Sequence, residues 1–242
     1  LVLQSFRTDT NIASGVVRPP NTASIALIRL DSAWNYLRLS KTSTQVGPTS
    51  ASWVPVTYDR EDEVDTTVYG HTSGSASVTL KQTGHYLIFA NTYGSLVTGN
   101  AIETAVDQKI TLGGKDINGS FTTAYMRGNA NADGNYQGAP SIGMFIQSTT
   151  TNQILTVQVA RSAGTSAWTI NASSTTYVDR TGLTIVKIPD GDFIRMMSTS
   201  TQNVNPAATT TLTWNYEHEK STASFTHSTS TNPSRVQTNI AG

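Results

Sequence analysis

The sequence reads as an all-β protein, an antiparallel β-sandwich, on three observations. Apolar residues alternate with polar ones over most of the chain, a period of two that puts one face of each strand in a core and the other in solvent. Turn signals rich in Gly, Asn and Ser separate the alternating runs, and no segment carries a helical stripe of useful length. About ten short strands in a unit of about 157 residues, joined by long connections, fit two packed antiparallel sheets.

In chain order, the first run is Trp53, Val54, Val56 and Tyr58, followed by an acidic stretch and the turn TSGS at 72–75. Ala76, Val78 and Leu80 form the next strand, and Tyr86, Ile88 and Ala90 the one after it. Ile110 and Leu112 alternate up to the turn signal LGGKDINGS at 112–120. RGNANADGNYQG at 127–138 is a second Gly/Asn-rich connection. Strands follow through Ile142, Met144 and Ile146, through Leu155, Val157 and Val159, and through Leu183, Ile185 and Ile188.

The chain also repeats itself. YLRLSKTSTQ at 36–45 returns as FIRMMSTSTQ at 193–202. Further on, Tyr58 aligns with Trp214, Glu63 with Glu219, Tyr69 with Phe225 and His71 with His227, 156 residues later. Val78 aligns with Val236 after a small insertion. Near the start, LQSFRTDT from Leu3 reads like VQVARSAGT from Val157, and ALIRLD from Ala26 like TIVKIPD from Thr184. A period this long is a domain and not a solenoid turn. The sequence therefore divides into 1–31, the last strands of a preceding unit; 32–190, a complete unit; and 191–242, the first strands of a following unit. Because a domain needs roughly 100 residues around one core, the expectation is a natural polypeptide that continues at both ends.

Composition removes several function classes. Formal net charge is zero, from 16 basic and 16 acidic residues with no long block of either sign, so the electrostatic case for nucleic acid is missing. Cysteine is absent, which excludes disulfides, thiolate metal sites and a cysteine nucleophile. No apolar run reaches the length of about 20 residues that a membrane helix needs. Charged residues make up only 13%, and abundant Thr and Ser suit a surface that makes neutral hydrogen bonds.

VTLKQTGHYLIFANTYG at 78–94 resembles the strand, Gly-x-Tyr, strand signature of the tumour-necrosis-factor-like jelly roll, shared with the globular heads of complement first component; Gly84 and Tyr86 hold the signature places. KITLGGKDINGS, SIGMFIQSTT and NQILTVQVAR resemble the later strands, so the likeness covers about Val56 to Ile188. The resemblance implies a jelly roll that associates as a homo-oligomer, with a trimer favoured, through a flat sheet face containing aromatic residues. In style, tandem cysteine-free beads rich in Thr and Ser also look like virion structural proteins of tailed bacteriophages, capsid decoration proteins and fibres in particular.

The candidate chemistry is thin. Asp59, Glu61, Asp62, Glu63 and Asp65 offer oxygens of the kind calcium takes, but the second copy keeps only Glu217 and Glu219, so a solvated loop that discourages edge pairing is the better reading. Asn129, Asn131, Asp133 and Gly134 mimic the opening of a calcium loop, yet Pro140 stands where the bidentate Glu belongs. His71 and His227 lack a second ligand at metal spacing and read as hydrogen-bonded strand residues. No G-x-S-x-G elbow is present, and the acids crowd into one stretch where glycoside cleavage needs two facing across a cleft. No catalytic residue, metal ligand or cofactor is expected. Of the Trp and Tyr residues, Trp53 and Trp214 flank corresponding strands and suit core packing, whereas Trp168 and Tyr136 lie near loop-rich stretches and are the candidates for exposed contacts such as sugar stacking.

Together these readings lead to a non-enzymatic virion structural protein: a capsid decoration or head-fibre protein at the virion surface, whose partners are other copies, the major capsid protein or other virion proteins, and host surface glycans. The alternative is an extracellular adhesin or carbohydrate-binding array.

Overall fold

The computed structural model describes residues 35–97, 103–127, 137–171, 181–188, 194–202, 211–220 and 222–239. Among the described residues every regular element is a strand. These are β1 (Asn35–Ser40), β2 (Gln45–Val46), β3 (Val54–Pro55), β4 (Arg60–Val64), β5 (Tyr69–Gly70), β6 (Ser77–Leu80) and β7 (Gly84–Asn91). Next come β8 (Gly94–Leu96), β9 (Glu103–Leu112), β10 (Lys115–Asp116), β11 (Thr122–Arg127), β12 (Gln137–Gly138), β13 (Ser141–Ser148) and β14 (Gln153–Gly164). The remainder are β15 (Trp168–Ile170), β16 (Gly182–Ile188), β17 (Ile194–Met197), β18 (Tyr216–Lys220), β19 (Phe225–His227) and β20 (Val236–Thr238).

Eight strands build the sandwich. The β7 sheet runs β13-β7-β16-β1-β4, and the β9 sheet runs β10-β9-β14-β6-β5 with β11 paired to β9 and β3 to β14. The antiparallel pairs β1–β16, β6–β14, β7–β13 and β9–β11 join the first strand to the eighth, the second to the seventh, the third to the sixth and the fourth to the fifth. That is one long hairpin, with its tip at β9–β11, rolled until its halves form two facing sheets, and this order defines a jelly roll. The short strands β4 and β5 extend the two sheets beyond β1 and β6.

Alternation supplies the core. Leu37 and Leu39, Tyr86, Ile88 and Ala90, Ile142, Met144 and Ile146, and Leu183 and Ile185 pack from the β7 sheet against Val78 and Leu80, Val106 and Ile110, and Leu155, Val157 and Val159 from the β9 sheet. All are buried, most of them fully, and each Val, Leu, Ile or Met among them gains about 1.5–3 kcal/mol by leaving water. The Gly-x-Tyr signature has a physical basis. Gly84 turns into β7 with φ +133°, a conformation that a side chain resists. Tyr86 lies fully buried, donates to the Gln82 carbonyl at 2.7 Å and meets the Tyr69 ring edge-on at 6.1 Å. Burial pushes the Tyr86 phenol up to about 12.

Several elements differ from the sequence expectation. The acidic stretch is a strand and not a loop: Arg60–Val64 pairs with β1 as the outer edge of the β7 sheet, with exposure alternating along it. β1 and β11 pair over six residues each although their mixed sequences, NYLRLS and TTAYMR, alternate only in part. The run from Trp53 to Tyr58 yields only the two-residue β3, yet Val56 and Tyr58 are fully buried and tied by backbone bonds to Val157 and Ser75. At the end of β16 the phase slips, so Ile188 is half-buried and Val186, on the outward set, is buried.

One end of the sandwich is closed by a small sheet in the order β12-β8-β15-β2. Its centre is Trp168, which the sequence placed at an exposed, loop-rich position. The structure corrects this: Trp168 is 1% exposed and donates from Nε1 to the Pro48 carbonyl at 2.9 Å. A Cβ on Gly47 would lie 2.2 Å from its ring, so glycine is what admits the indole. The other half of that expectation, Tyr136, and the loop of Asn129, Asn131, Asp133 and Gly134 lie outside the described residues.

The repeat extends to individual hydrogen bonds. β17 pairs with β18 in the register of β1 with β4, including the same bulge, Arg195/Met196 for Arg38/Leu39. β19 pairs with β20 as β5 pairs with β6. Gln45 Oε1 accepts from the Thr57 N–H, and Gln202 Oε1 accepts from that of Thr213. Asp59 caps the backbone of Thr42 and Ser43, and Asn215 caps that of Thr199.

Candidate functional site

The outward set of the β7 sheet forms one continuous surface. Register places Phe145 beside Leu87, Leu87 beside Val186, and Val186 beside Tyr36, a row that crosses four strands. The neighbouring row is Gly143, Phe89, Thr184 and Arg38. Phe89 is half exposed and its ring lies over Gly143, where a Cβ would come within 3.3 Å of it. A shallow depression beside Phe89 reaches Asn91, Ser141 and Gly182. The row from Phe145 to Tyr36 carries no charged side chain.

Its β4 side is a polar rim. Tyr36 donates to Glu63 at 3.2 Å, and that carboxylate raises the Tyr36 phenol's pKa. Arg60 pairs with Asp62 at 2.6 Å, and Arg38 lies 3.9 Å from the same carboxylate. An apolar centre bounded by charge on one side is the anatomy of a protein interface.

The acidic residues are each occupied. Asp59 is raised by burial but lowered further by hydrogen bonds from the Ser43 hydroxyl and the Thr42 and Ser43 backbone, which leave it at about 2. Asp65 accepts from Thr67 and Asn35, which hold it below the usual carboxylate range. Glu61 meets the buried His71 ring, Nδ1 to Oε1 at 2.8 Å, while Nε2 faces the Ser75 carbonyl at 3.2 Å. The second copy builds the same bridge, His227 to Glu217 at 2.8 Å and to the Pro233 carbonyl at 3.1 Å. Lys220 and His227 hold the Glu217 carboxyl low. These histidines brace β4 to the turn before β6, and β18 to its counterpart. Among the described residues no group of three His, Cys, Asp or Glu side chains is placed to hold a metal ion.

The aromatic contacts that sequence reasoning missed lie on the other sheet. Trp53 meets Phe121 edge-on at 6.3 Å, and Lys109 Nζ lies 4.3 Å from the Trp53 ring centre while pairing with Asp116 at 2.7 Å. Phe121 and Tyr125 are more than half exposed. Phe121 sits in a polar loop and Tyr125 in a threonine-rich strand, so neither carried a signal of its own.

No protein-family model matches the chain, and no curated protein matches it. Among solved structures, crystal structures of murine APRIL at pH 5.0, 8.5 and 8.0 are similar to it at 12% identity. Each likeness covers 64% of this chain and 99% of the other, with TM-scores of 0.41, 0.39 and 0.38. The jelly-roll assignment rests on the strand order given above.

Proposed function

We propose that this chain is a non-enzymatic structural protein, a tandem array of jelly-roll units that associates through the outer face of the β7 sheet into a homotrimer and is mounted on the surface of a virus particle. The observation that carries the association is the half-exposed Phe89 beside the half-buried Leu87 and Phe145, apolar side chains grouped on the outward face of the β7 sheet. Such a group gains by burial against its like about a symmetry axis. The virion setting is supported by composition and repetition: no cysteine, zero net charge, abundant Thr and Ser, and units that recur in sequence. Decoration of this kind sums many modest interfaces.

Sedimentation equilibrium at micromolar concentration is expected to give three times 25.9 kDa, and Leu87→Lys with Phe89→Lys a folded monomer. A monomeric parent chain, or a variant that still assembles, overturns the association. For the setting, antibody against the chain is expected to label virus particles released by the producing cells at regular positions; unlabelled particles count against it.

A second reading, an extracellular carbohydrate-binding array, is favoured by the exposed Phe121 beside Trp53 and Lys109. Sugar rings stack on such surfaces. An array that binds through each unit would repeat the platform, and the counterpart of Trp53 in the second copy is Thr209, which leaves assembly as the better account.

A further inference from the structure

Lys41 follows β1 and is 1% exposed, an uncommon place for an amine. Its Nζ lies 3.0 Å from the Thr57 carbonyl oxygen and 2.9 Å from the Thr57 hydroxyl. The same hydroxyl lies 3.1 Å from Gln45 Oε1, which also accepts from the Thr57 N–H at 3.0 Å, while Gln45 Nε2 donates to the Pro55 carbonyl at 2.9 Å. An amine, a hydroxyl and a carboxamide are therefore held in contact, in that order. The second copy isolates what the lysine adds. Gln202 Oε1 accepts from the Thr213 N–H at 2.7 Å, so the amide grips the chain there as Gln45 does in the first copy. Yet Ser198 stands in the place of Lys41. The glutamine bridge thus forms without an amine, and burying one carries a desolvation cost that the bridge does not demand.

We propose that Lys41, Thr57 and Gln45 form a self-reacting site that closes an ester between the Thr57 hydroxyl and the Gln45 side chain, with release of ammonia.

A hydroxyl in contact with a lysine is one of the ways a nucleophile is activated, the amine serving as base. Burial lowers the Lys41 ammonium's pKa, with Asp59 opposing, and so favours the neutral amine that a base must be. In that form Lys41 donates to the Thr57 carbonyl and takes the hydroxyl proton. Thr57 Oγ1 then bonds to Gln45 Cδ. The charge that develops on Oε1 meets the Thr57 N–H that already holds this atom, a one-donor oxyanion site. Collapse breaks the bond from Cδ to Nε2, and the nitrogen takes the proton carried by Lys41 and leaves as ammonia. One C–O bond forms, one C–N bond breaks, nothing is oxidised or reduced, and Lys41 ends as it began. Contact between the two groups supplies what an unactivated amide lacks in solution. The product is a ring of residues 45 to 57 that ties β2 covalently to the segment after β3. A single turnover on the chain itself leaves the non-enzymatic reading unchanged.

Trypsin makes this testable in the full chain, because residues 42–60 contain both Gln45 and Thr57 and no internal Lys or Arg. From folded protein that peptide is expected to weigh one ammonia less than its sequence, to yield no fragment ions from breaks between 45 and 57, and to reopen with alkaline hydroxylamine. The peptide 196–220, which carries Gln202 and Thr213, is expected at its full mass. Lys41→Met, which keeps a long side chain without its amine, is expected to restore the full mass of the segment. Isosteric Thr57→Val does the same and covers the case in which Lys41→Met does not fold. A 42–60 peptide of full mass, conversion of Gln45 to glutamate in place of the linkage, a linkage that survives either variant, or equal ammonia loss from 196–220 overturns the proposal. None of these readouts depends on association through the β7 sheet.

Discussion

Trp168 and Gly47 show how one residue permits another. The indole fills the end of the sandwich only because position 47 has no side chain, with 2.2 Å between the ring and the place of a Cβ. Gly47→Ala is expected to cost about 1–3 kcal/mol by overpacking, and Trp168→Ala about 3–5 kcal/mol by leaving a cavity; urea titration of the full chain checks both, and a neutral Gly47→Ala would refute the packing account. Asp59 makes a prediction about acid. Its folded pKa, about 2, is below the value of about 4 it has in an unfolded chain, so its contribution is present above pH 4 and is lost as pH falls from about 4 to about 2. Asp59→Asn is expected to flatten that part of the melting-temperature profile. An unchanged slope between those pH values would show that the cap to Thr42 and Ser43 adds nothing. At this scale the sequence was legible where a residue's neighbours along the chain reveal its environment. Tyr86 and Gly84 are such cases; Trp168, whose partners Pro48 and Gly94 are distant in sequence, is not.

Among elements, β14 is the spine of its sheet and holds the sharpest constraint. It pairs with β9 over most of its length, shifts register between Arg161 and Ala163, and ends at Gly164 with φ +78°. A Cβ there would lie 2.0 Å from the Glu103 carbonyl oxygen, so Gly164→Ala meets both a strained backbone and a collision. We expect it to abolish the last rungs of the ladder. Amide exchange at 104–106 should accelerate at least about tenfold while β13 and β7 stay protected; full protection at 104–106 would contradict the role of the bulge. The acidic strand β4 teaches a different lesson. REDEV offers no apolar pattern, and its strand conformation comes from pairing with β1, with charge as the device that keeps a free edge from pairing further. Pattern alone could therefore place β7, β9, β13, β14 and β16 but not β4, β8 or β15, whose conformation is set by neighbours.

For the whole molecule, zero net charge and an apolar assembly face make a joint prediction about salt. Association through Leu87, Phe89 and Phe145 should persist or tighten as sodium chloride rises from about 0.1 M to about 1 M, because screening weakens charge pairs and leaves apolar burial intact. Dissociation of the oligomer in high salt would transfer the credit to the Arg38, Arg60 and Asp62 rim. By itself the sequence determined the class of the fold, the residues that face inward along the long strands, and the repetition of one unit, since each is written in local alternation or in self-similarity. Only the tertiary structure decided which strands pair, which apolar side chains stand on the outward faces, where Trp168 goes, and that the second copy keeps the register of the first. The reason is physical: a period of two tells a strand that it has two faces, but what lies against each face is set by residues a hundred or more positions away.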